Sequence, residues 1–238
     1  MRKTLIGLPL LMLASPLAMA ADIDSLTSLS QSQFKAFSKD LAAAVSYKAI
    51  TPAEPLGVTG FDIGVEVSTT TLDNTKAFDA ACGGCGDKEL TVPKLHLHKG
   101  LPASLDVGLV FANVPSSNIR LSGAELRYAF LDGTAATPAL AMRLTYSRLD
   151  GVDQLSMDTR GVELTVSKGF AMFTPYAGVG QNWVNSNPSS STGLKDESFT
   201  QQKYYAGLNF NLGLVNLAVE GDRTGNSDTL SAKLGFRF

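Results

Sequence analysis

From Gly57 onward, apolar and polar residues alternate one by one along most of the chain. In the first run, Phe61, Ile63 and Val65 are separated by polar residues or glycine. A period of two points successive side chains to opposite faces of a β-strand, so each run predicts a strand with one apolar face. Such runs lie near residues 61–68, 94–98, 106–111, 125–130, 140–147, 162–167, 172–184, 203–210, 215–220 and 231–238.

The connections between these runs differ in length on the two sides of the predicted sheet. Those after the odd strands are mostly long or polar: residues 72–88, NVPSSN, RLDGVDQLS, NSNPSSSTGLKDES and GDRTGNSDT. Those after the even strands are mostly shorter: HKG, LDGTAAT, KGFA and LGL. Long loops on one side and short turns on the other are typical of transmembrane β-barrels. We therefore predict an all-β, closed antiparallel transmembrane β-barrel of about ten strands (range 8–12), with both termini on the short-turn side.

A helical period precedes the strands. Apolar residues fall near one helical face over residues 25–47, and Asp24 or Ser25 is a possible N-cap. The following ITPAEPLG contains two prolines and predicts a linker. A helix with side chains is about 10 Å wide, and a ten-stranded barrel offers little internal room. We therefore expect the helix outside the lumen, at the short-turn mouth or on the membrane surface; a helix inside would favour twelve strands.

The first twenty residues have the pattern of an export signal. Arg2 and Lys3 precede a short apolar stretch, and Ala18-Met19-Ala20 is a small-x-small cleavage sequence. We predict a signal peptide over residues 1–20, cleaved after Ala20, an amphipathic helix and linker over 21–56, and the barrel over 57–238. The chain without that leader has a formal net charge of about −4, which argues against nucleic acid as a partner.

The chain ends in LSAKLGFRF, with Leu234, Phe236 and Phe238 in alternation with Lys233 and Arg237. This segment resembles the last strand of Gram-negative outer-membrane β-barrel proteins, in which a terminal Phe is common. The resemblance implies that the three apolar residues face lipid and form the signal read by the barrel-assembly machinery, while the two cations face the lumen. It also implies residence in the outer membrane of a Gram-negative bacterium. Residues 173–183, FTPYAGVGQNW, are similar to a recurrent strand of small porin-like surface proteins.

The predicted inward faces carry charges of both signs. They form either a structural network that pairs across neighbouring strands or a charged constriction that selects solutes. The residues of this predicted lumen network are Glu125, Arg127, Arg143, Glu163, Lys203, Glu220, Lys233 and Arg237.

The other candidates for chemistry are few. His96 and His98 share the predicted lumenal face, where they are either plain polar residues or two ligands of one metal ion, with Asp106 and Glu66 on neighbouring strands. Ser104 follows nearby, so a Ser-His-acid arrangement stays open, although no motif surrounds it. We predict no catalytic residues, metal or cofactor.

The two cysteines, Cys82 and Cys85, lie in the sequence ACGGCG. Export permits a disulfide within this loop, and the alternatives are free thiols, a redox pair or half of a metal site.

The sequence predicts a membrane protein surrounded by outer-membrane lipid, with a structural or surface role or narrow-pore permeation. One alternative is a channel for small hydrophobic or anionic solutes, since KGLPASLDVGLVF looks like a strand of barrels that carry hydrophobic molecules behind an N-terminal plug. The other alternative is a lipid-modifying enzyme. The oligomeric state stays open.

Overall fold

The computed structural model describes residues 22–238, and the predicted leader and its cleavage site lie outside these residues. Ten strands follow one another after residue 60. Their bounds are β1 Phe61–Thr71, β2 Glu89–Leu101, β3 Leu105–Asn113, β4 Arg120–Asp132, β5 Ala139–Asp150, β6 Leu155–Ser167, β7 Phe173–Pro188, β8 Glu197–Leu212, β9 Val215–Thr224 and β10 Ser227–Arg237.

The ten strands form a closed antiparallel barrel in chain order, so the predicted fold class and strand number are confirmed. β1 and β10 close the sheet, with Ile63 opposite Phe236 and Val65 opposite Leu234. Phe61 and Phe238 complete this seam by exchanging two backbone hydrogen bonds, of 2.8 and 3.0 Å. The terminal strand therefore has no free edge that another chain could join.

The strand alternation separates two environments. On the outer surface the apolar row is exposed along every strand, as at Val65, Leu164 and Leu234, which gives the barrel a hydrophobic exterior. On the inner side the alternate residues are buried. An apolar exterior around a closed sheet is the arrangement required of strands that cross a lipid bilayer.

Two helices and two short 3-10 turns complete the fold. They are η1 Leu26–Ser28, α1 Gln31–Val45, α2 Thr75–Ala81 and η2 Ser190–Thr192. α1 begins later than the predicted helix over 25–47: Ser30, not Asp24 or Ser25, is its N-cap, and Ser30 and Gln33 form a reciprocal capping box. No helix in the described chain is long and apolar enough to span a membrane.

We call the mouth that contains residues 72–88, 114–119, 151–154, 189–196 and 225–226 the long-loop mouth, and the opposite one the C-terminal mouth. α1 lies at the long-loop mouth, which corrects the prediction of a helix at the other mouth or on the membrane surface. Its Asp40 contacts Asn74 and Ser227, and its Gln31 contacts Glu197. The prediction that both termini share one side is therefore wrong: Ile23 is bonded to Asn118 at the long-loop mouth, while Phe238 lies at the other.

The twelve-strand alternative is also wrong, and the reason is the shape of the N-terminal segment. The helix stays at the mouth, and only the extended chain that follows it crosses the narrow part of the lumen. Ala42, Ala43 and Ala44 are fully buried near the end of α1, where small side chains let the helix approach the wall closely. A ten-stranded barrel accommodates this arrangement because an extended chain is much thinner than a helix.

At the long-loop mouth the lumen has an apolar core. Phe34, Phe37 and Leu41 of α1 are fully buried there, and the Phe37 ring packs 5.4 Å from that of Phe78 in α2. The wall contributes apolar residues that face inward near the strand ends. They are Leu90, Val92, Leu121, Leu149, Leu155, Met157 and Val184. Burial of this surface holds α1 in place.

Candidate functional site in the lumen

Residues 46–56, which we call the threaded segment, cross the lumen from α1 to the start of the barrel. Residues 46–53 are all buried. Near the C-terminal mouth the segment is bonded to the wall by Ala53 N to Ser167 Oγ, at 3.1 Å, and by Leu56 N to Asp106 Oδ1, at 2.9 Å. Eleven extended residues reach at most roughly 36–40 Å, enough to cross the apolar band of about 25 Å in such barrels.

A buried ion pair joins the threaded segment to β9. The ammonium of Lys48 lies 3.0 and 2.8 Å from the two carboxylate oxygens of Asp222, and both side chains have no exposed surface. Thr224 donates a further hydrogen bond to Asp222 Oδ1 at 2.9 Å. The sequence interpretation included neither Lys48 nor Asp222.

Two predicted lumen arginines bind backbone carbonyls of the threaded segment. Arg127 donates to Pro52 O at 2.6 Å and is paired with Asp106 on β3 at 2.9 Å. Arg143 donates to Thr51 O at 2.5 Å and Pro52 O at 3.0 Å, and lies 3.5 Å from Glu125 Oε2. Each guanidinium therefore neutralises a wall carboxylate and satisfies carbonyls of an extended chain that has no strand partner.

Two predicted lysines also lie in the lumen with carboxylate partners. Lys203 Nζ is 2.8 Å from Glu163 Oε1 and donates to Tyr47 O at 3.0 Å. Lys233 Nζ is 2.9 Å from Asp62 Oδ2 across the closing seam. Most of these pairs link neighbouring strands, and the Lys203–Glu163 pair reaches across β7 at Gly180, so the charges of the network are paired with one another inside the lumen.

The remaining members of the predicted network occupy the same interior. Glu220 is buried, and its inward neighbour on β9 is Asp222. Arg237 lies near the C-terminal mouth, where its Nη1 is buried without a hydrogen-bond partner among the described residues.

The two histidines face the lumen and are hydrogen-bonded to other side chains. His96 Nε2 makes a short contact with Glu66 Oε2, and Lys94 lies 3.1 Å from the other oxygen of that carboxylate. His98 Nε2 lies 3.2 Å from Tyr47 Oη. The structure therefore brings Glu66 to His96 but not to His98, and Lys94 lies on the same carboxylate. A cation beside the carboxylate opposes the binding of a second positive charge.

Tyr47 fits into a recess made by two inward-facing glycines. A methyl group at Gly108 would lie 2.6 Å from Tyr47 Oη, and one at Gly123 would lie 3.1 Å from its ring. Any larger residue at Gly108 would also collide with the His98 ring. These glycines make room for the threaded segment in the wall, and they are part of the site that sequence reasoning did not identify.

Ser104 is not assembled into a catalytic set. It lies in the turn between β2 and β3, and its carbonyl accepts a hydrogen bond from Ala129 N. Asp106 is engaged by Arg127, and His98 by Tyr47. No hydrogen bond joins Ser104 to either histidine within residues 22–238.

The cysteines lie at the long-loop mouth, in the connection that follows α2. The structure joins Cys82 and Cys85 by a disulfide, with their Cα atoms 5.7 Å apart. Asp79 lies close to both sulfurs and accepts a hydrogen bond from Gly86 N. Ser25 N donates to Ala81 O at 3.0 Å, which fixes this loop against the N-terminal segment.

One signal in the sequence pointed to an occupied mouth. The inward positions near the outer strand ends are apolar, as at Leu121, Leu149 and Met157, whereas those deeper in the barrel are charged. An open aqueous mouth would have polar residues there. At these strand ends the inward residue is apolar while its outward neighbours are polar, as at Arg120, Arg148 and Ser156, which indicates that something apolar covers the inner face.

Comparison with known proteins finds distant structural likenesses. No protein-family model and no curated protein matches the chain. Among solved structures, the β domain of the Bordetella autotransporter BrkA is 12% identical with a TM-score of 0.41, over 76% of this chain and 100% of that one. OprG of Pseudomonas aeruginosa is 14% identical (TM-score 0.34; 79% and 99% covered), and Neisserial surface protein A is 10% identical (0.32; 75% and 97%).

Proposed function

We propose that this protein is a plugged barrel of the Gram-negative outer membrane whose role lies at its outer surface and not in an open pore. The observation that supports this most directly is the buried threaded segment, which fills the lumen and is bonded to the wall on several sides. α1, α2 and the long connections then form a packed cap at the long-loop mouth. In barrels of this architecture the long loops face the outside of the cell.

The partners in this proposal are the outer-membrane lipid around the apolar exterior and, during biogenesis, the assembly machinery that reads the last strand. Leu234, Phe236 and Phe238 present exposed apolar side chains on the outer surface of the closing seam. The proposal includes no catalytic step.

The test is single-channel conductance of the refolded protein in a planar bilayer. We expect no stable conductance steps, because the lumen is filled by the protein's own chain. Insertion is verified separately by protection of the strands from added protease. Stable, salt-dependent steps from the intact, inserted protein would contradict the proposal and favour permeation.

A second candidate function is gated permeation, in which the threaded segment leaves the lumen. It is favoured by the wall's own pairing: Arg127 keeps Asp106, and Lys203 keeps Glu163, when the segment departs. A protease site in the exposed residues 57–59 lets the barrel fold first and releases the segment afterwards. Conductance that appears only after cleavage would support gating. A matched variant with the site in residues 133–138, at the same mouth, is cut without freeing the segment and should stay silent.

A further inference from the structure

A polar cleft opens at the long-loop mouth, beside α1. The pairing of β8 with β7 extends to Glu197, whereas its pairing with β9 begins only at Lys203. The β7–β8 hairpin therefore projects beyond the short turn at residues 225–226. α1 fills the centre of the mouth and leaves a notch next to this step. The notch has a volume of about 490 Å³, within the range of about 300–1,000 Å³ that is usual for small-ligand sites.

One wall of this cleft contains a buried acceptor that lacks a donor. The side chain of Gln201 on β8 is buried, and its Nε2 donates to Lys39 O at 3.1 Å. Its Oε1 is also buried and has no hydrogen-bond partner among the described residues. A buried acceptor without a donor is unfavourable, so a ligand that brings a donor there is favoured. A hydroxyl group meets this need, whereas a carboxylate or phosphate oxygen does not.

The facing wall supplies a free cation. The ammonium of Lys39 on α1 makes no hydrogen bond or ion pair within residues 22–238, while the neighbouring Lys35 is paired with Glu197 at 2.9 Å. The cleft therefore offers one positive charge without a direct partner, beside a site that needs a hydroxyl donor.

The floor of the cleft holds planar amide and carboxylate groups in fixed positions. Asn226 Nδ2 donates to Asp73 Oδ2 at 3.1 Å, and Asn74 is held by Asp40 through both its backbone N and its Nδ2, at 2.6 and 3.2 Å. Groups that are already fixed lose little entropy when a ligand binds. Their remaining lone pairs and N–H groups offer alternating acceptors and donors.

We infer that this cleft binds an acidic sugar, a polyhydroxylated ring that carries one anionic group. The ring hydroxyls donate to Gln201 Oε1 and Asp73 and accept from Asn74 and Asn226, and the anion lies on Lys39. This inference rests on the proposed surface role and assigns that role a ligand class. The sugar comes either from lipid-linked saccharide in the same outer leaflet or from a soluble acidic glycan, and the chemistry of recognition is the same.

The experiment uses the full-length refolded protein in a detergent without sugar groups. Saturation-transfer NMR measures binding of D-glucuronate, with D-glucose as the neutral comparison. We expect saturable binding of glucuronate. Lys39→Gln should weaken it by up to about fivefold, the upper limit for an exposed ion pair, and should leave glucose binding little changed. Gln201→Met should weaken both sugars by about 2- to 12-fold, as expected for one hydrogen bond.

Lys88→Gln is the matched control, because Lys88 is an exposed lysine near the same mouth that does not line the cleft. It should bind like the parent protein. Transfer to neither sugar, or equal affinity for glucuronate in the parent, Lys39→Gln and Lys88→Gln proteins, would overturn the site. Lys39→Gln changes an exposed residue, so this outcome does not depend on whether Gln201→Met folds.

A second arm distinguishes the two sources of the sugar. The same variants are reconstituted in vesicles with and without a lipid-linked saccharide that carries uronate. Lys39-dependent capture of that lipid supports a membrane source, and binding of free glucuronate without capture of the lipid supports a soluble one. The bilayer conductance described above is measured on the same samples. If the protein shows neither conductance nor sugar binding, the sugar site is contradicted and the plugged-barrel proposal still holds.

Discussion

At the scale of single residues, charges buried in the lumen are paired, and their removal should be costly. Asp222 is the only carboxylate hydrogen-bonded to Lys48 in the described chain, and both side chains are inaccessible. Asp222→Ala leaves an ammonium buried without its partner. We expect a loss of about 3–5 kcal/mol in the free energy of unfolding, measured by urea titration of the protein in lipid vesicles.

The matched control is an exposed ion pair between the next residue of β9 and the residue opposite it on β10. Arg223 and Asp228 are 2.7 Å apart, with side chains 61% and 58% exposed. Asp228→Ala should cost no more than about 1 kcal/mol, because water screens an exposed pair. Equal losses in the two variants would show that the interior around Lys48 is hydrated and not filled.

Asp40 should make the stability of α1 packing at the long-loop mouth dependent on pH. Burial raises the pKa of its carboxyl group above the usual value, with a smaller contribution from the nearby charge of Asp73, although Asn74 and Ser227 donate hydrogen bonds that oppose the shift. A raised pKa means that the folded protein binds the proton more tightly than the unfolded chain. The stabilisation is complete below the unfolded pKa and is lost as the pH rises through the folded pKa.

We therefore expect the native protein to lose some stability, relative to Asp40→Asn, as the pH rises from below the usual carboxyl pKa through the raised pKa of Asp40. The asparagine keeps an acceptor for Asn74 N and does not titrate. The measurement is the difference between the urea midpoints of the two proteins across that pH range, which cancels the titration of the lumen carboxylates. A difference independent of pH would contradict this assignment.

At the scale of elements, β8 allows the membrane-facing assignment to be tested on one strand. Leu208 and Leu212 both point outward, with 39% and 50% of their surfaces exposed, but Leu212 is the last residue of the strand. Leu208→Arg should cost about 2–4 kcal/mol if it lies near the bilayer midplane, and Leu212→Arg about 0–1 kcal/mol near the interface. Equilibrium unfolding in lipid vesicles measures both. Equal costs would mean that β8 does not cross the bilayer as proposed.

The strands could be predicted from the sequence because their signal is local. Each run of alternating residues indicates a strand with one apolar face and one polar face. When ten such strands form a closed sheet, every strand is paired on both sides. The apolar stripe of α1 gave its approximate extent in the same way, since Phe34, Phe37 and Leu41 share one face. The stripe does not say what covers it. An apolar helical face packs equally well on lipid or on the apolar interior of a barrel mouth. The interior of the mouth was set aside because a helix was expected not to fit inside a ten-stranded barrel.

The site was predictable only where it belongs to strands. Arg127 and Arg143 follow the inward phase of β4 and β5, and so could be identified without the structure. Lys48 and Tyr47 lie in an extended segment without periodicity, and their partners are on β9 and β2, far away in the chain. The sequence offered no reason to single out the glycines at 108 and 123, because the atoms that a Cβ there would strike, those of Tyr47 among them, come from other parts of the chain.

At the scale of the whole molecule, the two ends of the described chain lie at opposite mouths. An epitope inserted before Asp22 should therefore be labelled by antibody on intact cells, since the following residues are fixed at the long-loop mouth by Ile23 and Asn118. An epitope at the turn of residues 213–214, at the C-terminal mouth, should be labelled only after the outer membrane is permeabilised. Labelling of both only after permeabilisation would contradict the threaded arrangement.

The crossing of the lumen by an extended chain constrains the order of assembly. The wall is in contact with residues 46–53 on several sides, whereas α1, about 10 Å wide with its side chains, is packed at the mouth beyond them. A folded α1 does not fit through the passage that the threaded segment occupies. Either β1 and β10 pair around a segment that is already in place, or α1 becomes helical only after its residues have passed through the lumen. In both cases the completed barrel encircles its own chain. The helix is wider than the passage through the lumen, so it prevents withdrawal of the threaded segment toward the periplasm.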